Sequence, residues 1–262
     1  MVLRGRADVV ADRAPSVALT PERRDGILAA LQGGLVASCQ PVRGGVFDEP
    51  ELVARFALAA LAGGAVALRV EGLADVRAVR QAQIRAGSAA PVIGLVKRAV
   101  DGSDVFITPA LDDVAALVAA GADVIAFDAT DRPRPTPVAA LVAAAHAGGA
   151  LAMADVATAA EGAAAHRAGA DLVASTLSGY APGSPQQTAP DLDLVAALTT
   201  GGARAVAEGR IATPAVAAEA RRRGAFAVTI GTAFSRPEWI VAAFVGAVAA
   251  AASDADADAD VG

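Results

Sequence analysis

Residues that form disulfides or metal clusters are scarce in this sequence. The 262 residues include one cysteine, Cys39, and two histidines, His146 and His166. A single cysteine excludes a disulfide within the chain and any cluster that needs several thiolate ligands. Both histidines lie in alanine-rich stretches that are predicted to be helical, where a packed or solvated imidazole is expected. The sequence therefore predicts no metal site.

Excess positive charge and long apolar runs are also lacking. The chain carries 22 basic and 28 acidic side chains, a formal net charge of −6, so it lacks the surplus of cations that holds a nucleic-acid backbone. Its longest apolar tract, residues 240–252, is shorter than the roughly 20 residues that span a bilayer. Arg4, Arg6 and Arg13 precede no apolar segment of the secretory type. We expect a cytoplasmic protein without nucleic-acid or membrane partners.

Lysine is nearly absent, and its one occurrence has two interpretations. Lys97 is the only lysine among the 22 basic residues. A composition that favours arginine could leave one lysine by chance. Alternatively, lysine is needed at this position, because a guanidinium stays protonated near neutral pH whereas an ammonium can be tuned into a general base. The second interpretation makes Lys97 a candidate catalytic residue.

Hydrophobic residues make up 55% of the chain, and they form eight short runs that alternate with helical patterns. This alternation is typical of parallel βα units, and the length fits one closed barrel. We predict a single-domain (β/α)8 TIM barrel of the α/β class, with an open doubly wound sheet as the alternative. The predicted strands are residues 34–38, 65–70, 91–97, 123–128, 151–156, 171–177, 204–208 and 226–231. The barrel is expected to span residues 26–252, between a flexible N-terminal extension, residues 1–25, and a disordered acidic tail, residues 253–262.

Polar residues end the predicted strands. In a barrel of this type the active site forms at the carboxyl ends of the strands, so these residues are the candidates for chemistry. Lys97 on strand three and Glu208 on strand seven would face each other, an arrangement suited to removing a proton from one face of a carbon and returning one to the other. A structural salt bridge to Arg69 or Arg210 is the alternative for Glu208. The complete set comprises Gln40, Arg69, Lys97, Asp128, Asp155, Thr176, Glu208 and the pair Gly231 and Thr232.

Two glycine turns follow the last two predicted strands. Gly209 and Arg210 follow strand seven, and Gly231 and Thr232 follow strand eight. Barrels often bind a phosphate group at this position, through backbone N–H groups near a helix N-terminus. We therefore predict that these four residues bind the phosphate of a small substrate.

The loop after predicted strand four contains two arginines between prolines. Residues 128–135 include Arg132 and Arg134, next to Pro133 and Pro135. The loop is either an ordinary solvated connection or a lid or wall over the substrate. Both interpretations are open at this point.

With these residues in place, the chain resembles the bacterial N-acetylmannosamine-6-phosphate 2-epimerases of sialic acid breakdown. The resemblance extends from about residue 31 to about residue 245. It departs from the family at Ala99 and Val100, since the family often has a tyrosine near this position. The segments that carry it are Ser38-Cys39-Gln40-Pro41, residues 94–98, 105–109 and 128–135, Met153-Ala154-Asp155-Val156, Thr176-Leu177-Ser178-Gly179-Tyr180, residues 207–211, and Arg236-Pro237.

The resemblance implies an isomerase that inverts C2 of N-acylmannosamine 6-phosphate. It implies that Lys97 and Glu208 exchange the proton, and which of them acts first in each direction is open. The residues implied to bind the sugar are Gln40, Arg69, Asp155 and Arg236, to which we add Thr176 from the strand-end set. The C1 carbonyl of the open-chain sugar already makes the C2 proton acidic, so neither a metal nor an organic cofactor is expected.

Other functions stay open beside the epimerase. A phosphoribosyl isomerase or a thiazole-phosphate synthase would use the same glycine turns, and a sugar-phosphate-binding regulator would bind without turnover. The acyl group of the substrate, acetyl or glycolyl, is open as well. The apolar final helix, residues 237–251, predicts a homodimer.

Overall fold

The computed structural model describes residues 18–259, with side chains described as far as residue 251. Eight parallel strands close into a barrel in which each strand pairs with its neighbours in sequence. The strands are β1 Leu35–Cys39, β2 Ala67–Glu71, β3 Val92–Leu95, β4 Val124–Asp128, β5 Leu151–Asp155, β6 Leu172–Ala174, β7 Ala205–Ala207 and β8 Ala227–Ile230. The helices are α1 Pro21–Leu31, α2 Pro50–Ala62, α3 Leu73–Ala86, α4 Leu111–Ala120, α5 Val138–Ala147, α6 Ala159–Arg167, α7 Leu192–Thr200, α8 Pro214–Arg222, α9 Thr232–Ser235 and α10 Pro237–Ala259. The predicted (β/α)8 barrel is confirmed, and the open sheet is wrong.

Two apolar cores follow from the alternation of side chains along the strands. Successive strand residues point to opposite faces of the sheet. Inward-facing residues such as Ala67, Leu151 and Val206 fill the barrel itself. Outward-facing residues such as Leu68 and Ile125 pack against the surrounding helices. The same alternation decides which of the residues that end each strand point into the mouth of the barrel.

Helix α1 closes the amino-terminal end of the barrel. Its Ile27, Leu28 and Leu31 side chains are buried in the interior core. The helix begins within residues 1–25, which we expected to be a flexible extension, so the barrel domain starts earlier than predicted. The physical reason is a strong helix start: the side chain of Thr20 accepts a hydrogen bond from a backbone N–H of the first turn, and proline follows at the first helical position.

Ion pairs fix α1 to the residues that immediately precede β4 and β6. Arg24 Nε lies 2.6 Å from Asp171 Oδ1, and Arg23 Nη2 lies 2.8 Å from Asp123 Oδ1. His146 Nε2 lies 2.8 Å from the second oxygen of Asp171. His146 is therefore a packed structural residue, as the sequence predicted.

Helix α10 projects from the barrel. Its main packing contacts are with the short helix α9, and every side chain from Val241 to Ala251 is exposed. The helix continues to Ala259, so residues 253–259 are helical where a disordered tail was expected, because extending an existing helix is much easier than starting one. Residues 1–17 and 260–262 of the two predicted ends lie outside the described residues. Among the described helices, none combines the length and the apolar character needed to cross a bilayer.

Candidate active site

The polar residues predicted from the strand ends meet at the carboxyl end of the barrel. Arg69 follows the interior residue Ala67 by two positions, and Glu208 follows Val206 by two. The same spacing from an interior residue applies to Lys97, Asp155 and Thr176. Because side chains alternate with a period of two, all of these residues are directed into one mouth.

Arg69 joins two carboxyl groups of the site. Its Nη1 and Nη2 atoms lie 3.1 Å from Asp155 Oδ1 and 2.6 Å from Asp155 Oδ2, and Nη1 also lies 2.8 Å from Glu208 Oε2. Thr176 Oγ1 donates to Asp155 Oδ1 over 2.8 Å. Arg69 and Asp155 are buried, so they contact protein groups and fix the position of Glu208. The salt bridge that we considered as the alternative for Glu208 is therefore present.

Glu208 stays within reach of the mouth, with 12% of its side chain exposed. Ser175 fixes its backbone, since the Ser175 hydroxyl donates to Glu208 O over 2.9 Å and accepts from Glu208 N over 3.1 Å. Burial raises the pKa of Glu208 to about 7; the positive charge of Arg69 opposes this rise, the negative charge of Asp155 adds to it, and the positive charge of Lys97 opposes it. A carboxyl group with such a pKa can donate or accept a proton near neutral pH.

Lys97 is held by the loop that follows β3. Its backbone forms an antiparallel bridge with Ile107, because the loop folds back on itself. Lys97 Nζ donates to Gln40 Oε1 over 2.7 Å and lies 3.0 Å from Glu71 Oε2. Gln40 Nε2 donates in turn to Ser38 Oγ over 2.8 Å. The Lys97 side chain is 29% exposed, so its amine is both oriented and accessible.

Arg236, which lies between α9 and α10, is placed beside the end of β1. Its Nε atom donates to Gln40 O over 3.2 Å. Ser235 Oγ accepts from Gln40 N over 3.3 Å. Ser235 and Arg236 are thus bound to the backbone of Gln40, the residue whose side chain accepts a hydrogen bond from Lys97.

The two glycine turns lie where they were predicted, after β7 and β8. Gly209 has a φ of 109° and Arg210 a φ of 58°, so both adopt the left-handed region and the chain reverses sharply after β7. Gly231 precedes the first residue of α9, Thr232. Both turns therefore present backbone groups at the same end of the barrel.

The side chain of Arg210 is directed at the loop between β6 and α7. Its guanidinium donates to Ser178 O over 3.0 Å and to Ala189 O over 2.9 Å. It also lies over the ring of Tyr180, 5.1 Å from the ring centroid. These contacts connect the turn after β7 to the neighbouring loop and fix its course.

Hydrogen bonds and ion pairs hold the two arginines of the loop after β4. Arg132 Nε donates to Thr130 Oγ1 over 2.8 Å and its Nη2 atom pairs with Asp128. Arg134 Nη1 donates to Asp128 O over 2.7 Å. The side chains of the two arginines are 12% and 14% exposed, and that of Asp128 is fully buried. Asp128 therefore holds both arginine side chains against the barrel, while Asp131, Pro133 and Pro135 of the same loop are exposed.

Glu71 was missed in the sequence analysis, although it contacts Lys97. It follows Arg69 by two residues in β2 and therefore shares its inward direction, which is the signal that could have identified it. A cavity of about 250 Å³ beside it is lined by Gln40, Pro41, Arg43, Asp48, Glu71, Gly72 and Asp75. Within the part of the chain that the structure describes, no group of histidine, cysteine and carboxylate side chains has the arrangement of a metal site.

Comparison with known proteins identifies the family. A family model described as "Putative N-acetylmannosamine-6-phosphate epimerase" matches residues 53–250. Proteins of Yersinia pseudotuberculosis (strain IP 31758) and Yersinia pestis, both named "Putative N-acetylmannosamine-6-phosphate 2-epimerase", are 51% identical over 218 residues, 83% of this chain and 91% of theirs.

Solved structures agree with that match. The N-acetylmannosamine-6-phosphate 2-epimerase from Clostridium perfringens is 36% identical with a TM-score of 0.80, over 84% of this chain and 95% of that chain. A deoxyribose phosphate aldolase from Aeropyrum pernix is 15% identical with a TM-score of 0.56, over 81% of this chain and 88% of that chain, and shows the fold alone. The chain belongs to the N-acetylmannosamine-6-phosphate epimerase family.

Proposed function

We propose that this chain is an isomerase that inverts C2 of N-acylmannosamine 6-phosphate to give N-acylglucosamine 6-phosphate. Relatives that carry this activity in their names cover most of the chain, which favours it over a phosphoribosyl isomerase, a thiazole-phosphate synthase or a regulator. The proposal depends on one observation. The amine of Lys97 and the carboxyl group of Glu208 end strands at the same barrel mouth, where Lys97 contacts Glu71 and Glu208 contacts Arg69, two residues that lie on the same face of β2.

The chemistry is a proton exchange at C2 of the open-chain sugar. The ionised carboxylate of Glu208 removes the C2 proton, and the electron pair moves onto the C1 carbonyl oxygen to form an enolate. The ammonium of Lys97 then returns a proton to the opposite face of C2 and restores the carbonyl. Lys97 Nζ donates to Gln40 Oε1 and forms an ion pair with Glu71 Oε2, which are contacts that a protonated amine makes. The reverse reaction exchanges the two roles, as microscopic reversibility requires.

The remaining predicted site residues position the substrate and the two catalytic groups. In this proposal the phosphate is held by the turn at Gly209 and Arg210, after β7, and by the turn at Gly231 and Thr232, after β8. Gln40, Thr176 and Arg236 face the sugar. Arg69 and Asp155, which were also expected to bind the sugar, are proposed instead to hold Glu208, because both are buried against it. The reaction uses protein groups, because the carbonyl next to C2 makes the proton acidic enough for them.

A homodimer is proposed as the working form. Along α10, Val241, Phe244, Val245 and Val248 are each more than 60% exposed, and their spacing places them on one helix face. An apolar helix of this length is marginal when it is exposed to water. A second copy of the chain would cover this face with an identical one. A cytoplasmic location stays a prediction from the sequence.

The function is tested by a proton NMR time course with N-acetylmannosamine 6-phosphate in D₂O. We expect the wild type to form the epimer with one solvent deuteron at C2. Lys97→Ala and Glu208→Gln should lose about 100-fold or more of the rate, the usual contribution of a general acid or base. Arg98→Ala, which removes an exposed neighbour paired with Asp113, is the matched control and should turn over normally.

Each other outcome has a definite meaning. Near-normal rates in Lys97→Ala or Glu208→Gln would refute the catalytic roles. Epimerisation without deuterium at C2 would refute the proton exchange. Binding of the sugar phosphate by the wild type without any turnover would identify the chain as a regulator instead.

A further inference from the structure

We infer that Glu71 is a positioning residue that aims the amine of Lys97 at the substrate. The inference rests on the proposed function, because it gives Glu71 its purpose through the reaction of Lys97. Glu71 ends β2, and its Oε2 atom lies 3.0 Å from Lys97 Nζ. Glu71 contacts Lys97, whereas Arg69, two residues earlier on the same strand, contacts Glu208.

The contacts of the Lys97 amine restrain its position from two sides. An ammonium has three N–H donors. One of them is donated to Gln40 Oε1, at 2.7 Å, and the charged amine also forms an ion pair with Glu71, with Nζ 3.0 Å from Oε2. Ser38 fixes the amide of Gln40 by accepting from its Nε2 atom, so that the carbonyl oxygen faces Lys97. The amine is therefore held between two oxygen atoms on neighbouring strand ends, one bound by a hydrogen bond and one by an ion pair, and its remaining side is left for the substrate.

Glu71 is itself fixed from its other side. Its Oε1 atom accepts from Arg43, while its Oε2 atom faces Lys97. Arg43 Nη2 also lies 3.5 Å from Lys97 O. The carboxylate of Glu71 thus bridges Arg43 and Lys97, and Arg43 also contacts the backbone of Lys97. This closed set of contacts restrains the end of a side chain that has a flexible four-carbon stem.

Exposure indicates that this bridge serves geometry more than stability. The side chain of Arg43 is 72% exposed, that of Glu71 is 21% exposed and that of Lys97 is 29% exposed. Ion pairs in such places contribute little to the free energy of folding. The position of a reacting group matters far more, because a displacement of about 1 Å can lower a rate by about 100-fold.

The test uses the fact that Lys97 is the only lysine of the chain. Lysine labelled with ¹³C at Cε gives one methylene signal from this residue, and its heteronuclear NOE reports how rigidly the side chain is held. We expect a rigid signal in the wild type and a mobile one in Glu71→Ala. In the same variant kcat should fall by about tenfold or more while KM changes less than about twofold, because the orientation of the Lys97 amine is lost and the binding of the substrate is not. Glu71→Asp keeps the charge and should recover part of both readouts.

The control removes a similar bridge elsewhere. Glu219 pairs with Arg222 and Arg223 on the exposed face of α8, so Glu219→Gln should leave both the Lys97 signal and kcat unchanged. An equally rigid Lys97 signal in Glu71→Ala, or a kcat equal to that of the wild type, would overturn the inference. Because the NMR readout needs no turnover, it tests Glu71 even if Lys97→Ala were to show that Lys97 is not catalytic.

Discussion

Arg69 Nη1 lies 2.8 Å from Glu208 Oε2, and the same guanidinium binds both oxygens of Asp155. An arginine at this distance usually holds a carboxyl group in its ionised form. Here burial outweighs that attraction, and the pKa of Glu208 rises to about 7. The contact therefore fixes the position of Glu208 without removing its ability to exchange a proton.

The first prediction concerns the pH dependence of the rate. Because Glu208 must be ionised to remove the C2 proton, kcat/KM should rise with pH up to its pKa of about 7 and level off above it. Below that pH the ionised fraction falls about tenfold for each pH unit. Initial rates between pH 5.5 and 8.5 measure the profile. A flat profile, or one that falls through pH 7, would contradict the role of Glu208 as the base.

The second prediction tests the phosphate turn after β7. In Gly209→Ala the added Cβ has free space, with Thr176 O at 3.8 Å as its nearest neighbour, but φ is 109°. The turn must shift to relieve a strain of about 1–2 kcal/mol. KM for the sugar phosphate should rise about fivefold to tenfold as the turn leaves the position that binds phosphate.

A matched glycine separates strain from binding. Gly87 ends α3 at a φ of 69° with open space around it, so Gly87→Ala imposes comparable strain away from the site. We expect it to lower the stability and to leave KM unchanged. Steady-state kinetics with calorimetry on both variants makes the comparison, and equal KM values for Gly209→Ala and the wild type would refute the phosphate assignment.

The third prediction concerns the closed end of the barrel. The buried carboxylate of Asp171 accepts from Arg24 and from the backbone N–H of Ala152, and it pairs with His146. Asp171→Ala leaves these groups without their acceptor and should cost about 3 kcal/mol of unfolding free energy. Urea denaturation measures the loss, and kcat of the folded variant at low temperature should stay normal. A loss below about 1 kcal/mol would mean that Asp171 contributes little to holding α1 and that its apolar contacts and the Arg23–Asp123 pair are sufficient.

The fourth prediction tests the apolar face of α10. Phe244 is 71% exposed, and a charge at its position opposes burial against a second copy. Phe244→Glu should therefore convert a dimer into a monomer, measured by light scattering during size exclusion. Ile84→Glu, on the exposed part of α3 and 77% exposed, is the control and should leave the dimer intact. A wild type that elutes as a monomer would refute the proposal.

The sequence predicted the barrel because its signals are local. Each strand is a short apolar run, and the polar residue that ends it keeps the inward direction of the residue two positions before. Lys97 and Glu208 were found in this way. Glu71 obeys the same rule but was missed, because one residue for each strand was considered and Arg69 was chosen from β2.

Other features depend on contacts between distant parts of the chain. The joint contact of Arg69 with Asp155 and Glu208 requires three strands to be brought together, so no local pattern reveals it. The start of α1 was missed for a different reason. Thr20, followed by proline, is a clear helix start. The first turns of the helix contain no large apolar residue, so nothing near its start indicated that the helix would be buried.

The placement of α1 has a consequence for how the protein is made. Its polar partners are encoded far downstream, since Arg23 meets Asp123 100 residues later and Arg24 meets Asp171 147 residues later. At a synthesis rate of about 5–20 residues per second, the newborn helix waits on the order of ten seconds for those partners to leave the ribosome. During that interval the apolar side chains of Ile27, Leu28 and Leu31 have no barrel to enter and stay exposed to water, so the burial of this helix is completed only late in synthesis.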